Sequence, residues 1–133
     1  MPARLHQISI SPPPTGGVPK RAVCLFSLEV IQRLQREGHP IGPGTTGENL
    51  TVSGIEWARL TPGTRVQVGD EVEGVELEIA SYTQPCSTIR DSFTELKFKR
   101  IDQELHPGES RVYARVVKEG VVRVGDGVEV FER

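Results

Sequence analysis

Apolar and polar residues alternate along most of this chain, and one segment carries the longer period of a helix. Leu5 to Ile10 alternates modestly and predicts a first strand. Ala22 to Phe26 (AVCLF) is a continuous apolar run, read as a buried strand. Ser27 follows at the place of a helix cap. Leu28, Ile31 and Leu34 then share one face of a helix predicted over Leu28 to Glu37, with Glu29–Arg33 and Arg33–Glu37 spaced as i,i+4 charge pairs. Gly38 and Pro40 end it.

From Thr51 onward the period is that of strands. Arg65 to Val68 is a short one. Glu71 to Ala80 is longer, with Val75, Leu77 and Ile79 on one side and Glu76 and Glu78 on the other. Gly74 shifts the parity relative to Val72, which predicts a bulge. Ser92-Phe93-Thr94-Glu95 matches a capping box and predicts a second, short helix over about 93–101. Ser110 to Lys118 alternates again, placing Val112, Ala114 and Val116 opposite Arg111, Tyr113 and Arg115. Val121 to Val124 and Val128 to Phe131 complete the strands. VQVGDEV (Val66 to Val72) recurs as VRVGDGV (Val122 to Val128), each read as a strand, a Gly-Asp turn and a strand. Two such hairpins fit a closed or nearly closed barrel, which removes sheet edges. The expected fold class is mainly β, barrel-like, with one clear helix.

Composition narrows the setting. With 133 residues the chain holds one domain. It is 36% hydrophobic and 26% charged, which suits a globular core rather than disorder. A net charge of −2 with mixed signs argues against a nucleic-acid partner. No apolar run is long enough for a signal peptide or a membrane span. Two cysteines do not make a disulfide framework, so a cytoplasmic location with reduced thiols is expected. The three histidines are scattered, so a His-based metal site is not expected.

The chemistry that remains is one loop thiol. Cys24 lies inside the AVCLF run and reads as a small buried hydrophobe. Cys86 follows Pro85 in a turn. A thiol acts as nucleophile, sulfur carrier or soft-metal ligand only as thiolate, which nearby cations or a helix N-terminus favour. Arg90, Arg111 and Arg115 are candidate cations, and the helix expected after Ser92 is a candidate dipole. The Gly-rich loop Ile41 to Leu50 is a plain loop or an anion-binding nest. It is not a Walker loop, because no Lys-Ser or Lys-Thr closes it. Asp70 and Asp126 read as turn formers.

GTTGENLTVSGIEWARLTPGTRVQVGD, QPCSTI and SRVYARVVKEGVVRVGDGVEV together resemble the MOSC domain, the C-terminal module of molybdenum-cofactor sulfurases, also found as small stand-alone proteins. The likeness covers most of Ala22 to Phe131 in order. Gly16 to Lys20 (GGVPK) resembles the start of the stand-alone subgroup. In that subgroup a segment with a Gly-Asp pair and a His-Gly-Gly motif separates GGVPK from the strand. Here Lys20 runs directly into Arg21, an apparent deletion between residues 20 and 21 of a single domain spanning 1–133, with a Pro/Gly-rich loop at 11–20.

The resemblance implies a barrel with a functional cysteine, Cys86, that carries persulfide sulfur or ligates molybdenum. It implies a molybdenum-cofactor (molybdopterin) pocket shaped by Gly47, Glu48, Asn49, Arg111, Tyr113 and Arg115. Pyridoxal phosphate is not expected, because it belongs to a separate desulfurase domain. Three readings stay open. The first is sulfur transfer through Cys86 with a cysteine desulfurase as donor. The second is a molybdenum-cofactor-binding reductase of N-hydroxylated compounds with Cys86 as metal ligand. The third is a non-catalytic barrel that binds a small ligand or partner. A homo-oligomer is compatible with all three.

Overall fold

The computed structural model describes residues 2–9 and 22–131, so the loop expected at 11–20, GGVPK and the junction of Lys20 with Arg21 lie outside the described residues. Seven strands form one sheet: β1 (Arg4–Ile8), β2 (Ala22–Ser27), β3 (Leu50–Ser53), β4 (Arg65–Val68), β5 (Val75–Tyr82), β6 (Val112–Lys118) and β7 (Val128–Phe131). The order is β1-β3-β2-β6-β5-β4-β7. The two outer strands then meet. Leu5 N donates to Asp126 O at 2.8 Å, Gly125 N to Leu5 O at 2.8 Å, and Val128 N to Ala3 O at 3.0 Å. These bonds nearly close the sheet into the expected barrel and occupy its edges.

AVCLF has no alternation because both faces of β2 are covered. Leu25 faces the barrel interior with Leu50, Val66, Leu77, Ile79 and Val112. Phe26, on the opposite parity, packs outside with Val30, Ile31, Leu34, Ile89 and Phe93. The outer layer comes from α1 (Leu28–Arg36), the crossover between β2 and its parallel partner β3. Ser27 caps it as expected, its Oγ accepting from Val30 N at 3.2 Å. Burial of Val30, Ile31 and Leu34 contributes roughly 1.5–3 kcal/mol each. The expected i,i+4 charge pairs do not form, because longer-range partners are closer. Glu29 accepts from Gly54 N, Arg33 pairs with Glu109, and Glu37 pairs with Arg100.

Three other expectations change. The strand expected over 71–80 occupies Val75–Tyr82, because Asp70 Oδ1 accepts from Val72 N and Glu73 N and holds 71–74 in a turn. The bulges of this strand fall between Glu76 and Leu77 and between Ile79 and Ser81, not at Gly74. Gly74 is instead a point of close approach, where an added Cβ would lie 2.3 Å from Val68 O. Only the first Gly-Asp echo is a hairpin, β4 with β5. In the second, Val121–Val124 forms no strand, and β7 pairs with β4. Asp126 still forms its turn, accepting from Arg123 N at 2.8 Å.

The helix expected over 93–101 is two short 3-10 helices, Thr94–Leu96 and Phe98–Ile101. Glu95 and Leu96 sit at φ of 56° and 59°, a left-handed kink that an α-helix does not tolerate. Ser92 does not cap it. Its hydroxyl donates to Thr45 Oγ1 at 3.0 Å instead. Among the described residues no helix is long and apolar enough to cross a membrane.

Candidate functional site

Cys86 is exposed at the end of the connection that follows β5. A 3-10 helix, Ser87–Ser92, begins immediately after it and turns Thr88 back onto the sulfur. The Thr88 hydroxyl lies 2.7 Å from Cys86 Sγ. This contact, with the Thr88 backbone N–H, holds the thiol below its ordinary pKa of 9.0, and the Arg111 charge adds to the effect against a small burial cost. Cys86 is therefore biased toward thiolate. Cys24 is the opposite case. It is buried, and desolvation pushes its pKa up to about 11 despite the Arg111 charge and the Thr83 hydroxyl. The two thiols thus differ in setting: Cys24 is buried, as expected, with its thiolate disfavoured, while Cys86 is exposed with its thiolate favoured.

The loop around Cys86 is held by Arg111, which is 6% exposed. Its guanidinium donates to Thr46 O and, at 3.3 Å, to Gln84 O. One side chain thereby ties the Gly-rich loop to the segment that carries Cys86. Ser92 and Thr45 make a second tie between the same two segments. Arg111 Nε is buried without a partner among the described residues.

The Gly-rich loop does wrap an anion, and the anion is its own. Glu48 is 0% exposed, and its carboxylate accepts from Gly44 N (3.0 Å), Thr46 Oγ1 (2.8 Å) and Thr51 Oγ1 (3.1 Å). Gly44 takes φ of +83°, and a Cβ there would lie 2.6 Å from Ser9 Oγ, so a larger residue would be strained and would displace the Ser9 side chain. Asn49 extends the sheet beyond β3. Its side-chain oxygen accepts from Cys24 N at 2.9 Å, its backbone N donates to Cys24 O at 2.8 Å, and its carbonyl accepts from Ser9 N at 2.7 Å.

The residues expected to shape a pocket therefore divide. Glu48, Asn49 and Arg111 gather behind the Cys86 loop as its scaffold. Gly47 lies on the loop surface, its N–H donating to Gly44 O. Tyr113 is exposed on β6 and opposite Cys24 in register. Arg115 is exposed and paired with Glu78, which also meets Arg65. Arg90 is exposed on the 3-10 helix. Thr88 was not among the sequence candidates. The readable signal for it was a hydroxyl residue two places after the thiol, the spacing at which short polar side chains bond back across a turn.

The described residues do not fit a cradle for a pterin with a charged tail. Both carboxylate oxygens of Glu48 have internal donors, Arg111 donates to two backbone carbonyls, and Arg115 is neutralised by Glu78. Among the described residues the one exposed cysteine sulfur, a soft donor, is that of Cys86. Among the described residues no group of three or more His, Cys, Asp or Glu can hold a metal ion.

A small barrel with a helical crossover, presenting one exposed thiol on a braced loop, defines a thiol-bearing barrel domain. The chain belongs to the MOSC domain family, whose model matches residues 12–129. The family is associated with molybdenum-cofactor-related proteins. Among solved structures the chain is similar to YiiM from Geobacillus stearothermophilus, at 28% identity and a TM-score of 0.67 over 85% of this chain and 55% of that one. YiiM from Escherichia coli matches at 20% identity and 0.68, over 99% and 69%. The YUAD protein from Bacillus subtilis matches at 19% and 0.62, over 98% and 85%. The chain thus spans little more than half the length of the Geobacillus protein. No curated protein matches it.

Proposed function

We propose that this MOSC domain carries sulfur as a persulfide on Cys86, in molybdenum-cofactor or other metal–sulfur cofactor metabolism. The observation that carries the reading is the exposed thiol biased toward thiolate by Thr88 and Arg111. Sulfur transfer needs a thiolate that another protein's persulfide can reach, and it needs no enclosing pocket. In the loading step Cys86 Sγ attacks the terminal sulfur of a donor persulfide, such as that of a cysteine desulfurase. A new S–S bond forms, the donor's S–S bond breaks, and the donor cysteine leaves as thiolate. In delivery an acceptor nucleophile attacks the same terminal sulfur, and Cys86 leaves as a thiolate again stabilised by Thr88. A lower pKa favours this leaving role.

The test is intact-mass analysis after incubation with a cysteine desulfurase and L-cysteine, followed by cyanolysis. One added sulfur, released as thiocyanate, is expected on the wild type and not on Cys86→Ser. Equal loading of Cys86→Ser defeats the proposal. So does protein from a molybdenum-replete host that retains molybdenum and pterin through Cys86 and takes up no sulfur.

A further inference from the structure

The alternation that turns Arg111 toward the Cys86 loop turns its neighbours Ser110 and Val112 the other way. There, Trp57, Tyr82, Gln103, Pro107, Ser110 and Val112 line a cleft of about 220 Å³. At about 30 Å³ per water, that is room for roughly seven waters, or one substituted ring. Trp57 is buried and fixed, its indole N–H donating to Ser110 O at 2.6 Å. Gln103 is also oriented. Its Oε1 accepts from Gly108 N at 3.1 Å and from Ser110 Oγ at 3.0 Å. Its NH₂ group and the Tyr82 hydroxyl have no partner among the described residues.

We infer that this cleft binds a small neutral ring compound bearing a hydrogen-bond acceptor such as a carbonyl. The Trp57 and Tyr82 rings supply apolar contact, and the Gln103 NH₂ and Tyr82 hydroxyl supply two donors. No acidic or basic side chain lines the cleft, so a charged guest would lose hydration without gaining a counter-charge. Cys86 is not among the lining residues, so the inference does not rest on the sulfur-carrier reading.

Trp57 is the only tryptophan of the chain, which makes its emission a direct reporter. The full chain is titrated with benzamide, and with benzoate and benzylamine as charged analogues of similar shape, with saturation-transfer NMR as a second readout. A saturable change with benzamide is expected, with the charged analogues at least tenfold weaker. Tyr82→Phe weakens benzamide several-fold, Ala58→Leu, at a further position lining the cleft, fills it and abolishes binding, and Cys86→Ser leaves binding unchanged. The absence of a saturable benzamide response overturns the inference, as does equal binding of the charged analogues or wild-type affinity in Tyr82→Phe. Should Ala58→Leu fail to fold, the charged pair and Tyr82→Phe decide the matter without it.

Discussion

Glu48→Gln isolates what a buried charge does for the Cys86 loop. The carboxylate receives three hydrogen bonds, two at Oε2 from Gly44 N and Thr51 Oγ1 and one at Oε1 from Thr46 Oγ1. Glutamine keeps the shape. Its oxygen retains the first two donors, and its NH₂ donates to Thr46 Oγ1, whose hydroxyl reverses. All three bonds survive but become neutral. Hydrogen bonds to a charged group contribute about 1.5–3 kcal/mol and neutral ones about 0.5–1.5, so the gross loss is roughly 3 kcal/mol. Burying an amide costs less than burying a carboxylate, which offsets part of this. The expected net destabilisation is about 1–2 kcal/mol. At a urea slope of about 2 kcal/mol/M, the unfolding midpoint falls by roughly 0.5–1 M, read from Trp57 emission. Thr46 also receives Arg111, so the Cys86 loop loosens and the rate of Cys86 alkylation changes in the native state. An unchanged midpoint together with unchanged alkylation would refute the view that the charge of Glu48 organises the site.

Thr88→Val removes the hydroxyl bonded to Cys86, so the pH inflection of iodoacetamide alkylation moves up toward 9.0, while Thr88→Ser stays near the wild type. An inflection indifferent to both substitutions removes Thr88 from the account. Arg100 joins Glu37 and Glu109, and its hydrogen bond depresses the Glu37 pKa below 4.5. A depressed acid stabilises the fold above its unfolded pKa and loses that contribution as pH falls through its folded pKa. Arg100→Met therefore costs about 1 kcal/mol at pH 7 and progressively less below pH 4.5, seen in urea melts across pH. A constant difference across that range would contradict the ion-pair assignment. At Gly120 an added Cβ would lie 2.1 Å from Gly74 O, so Gly120→Ala costs about 3 kcal/mol or more in thermal unfolding. A melting point within a degree of wild type would show that the two turns yield easily.

What the sequence makes legible here is what repeats locally. The Ser27 cap, α1 and the alternation within β5 and β6 depend on neighbours within a few residues; the cap, α1 and β6 appear close to where periodicity places them, while β5 starts later because the Asp70 turn takes its first residues. The Gly-Asp echo was half misleading for the same reason. Identical turn residues make identical turns, but whether the flanking valines pair with each other depends on the rest of the sheet. Val121 N bonds to Glu73 O, which leaves β7 free to join β4. At the site, a loop thiol next to proline was readable as Cys86. The role of Arg111 was not, because its two carbonyl acceptors lie 65 and 27 residues away. The kink at Glu95 and Leu96 was hidden too, since neither residue type announces a positive φ.

The closure of the barrel by β1 and β7 also sets a timetable. Leu5, near the start of the chain, exchanges bonds with Gly125 and Asp126, near its end. During synthesis β1 can find β3, and α1 can settle on β2, long before residues 125–131 leave the ribosome. Until then β4 presents one unpaired edge, and the far side of β1 presents another. Such edges invite pairing with other chains, and contacts between distant residues form slowly. The interval before β7 arrives is thus when this domain is most prone to misassociate, and a premature stop anywhere before Val128 would make that interval permanent.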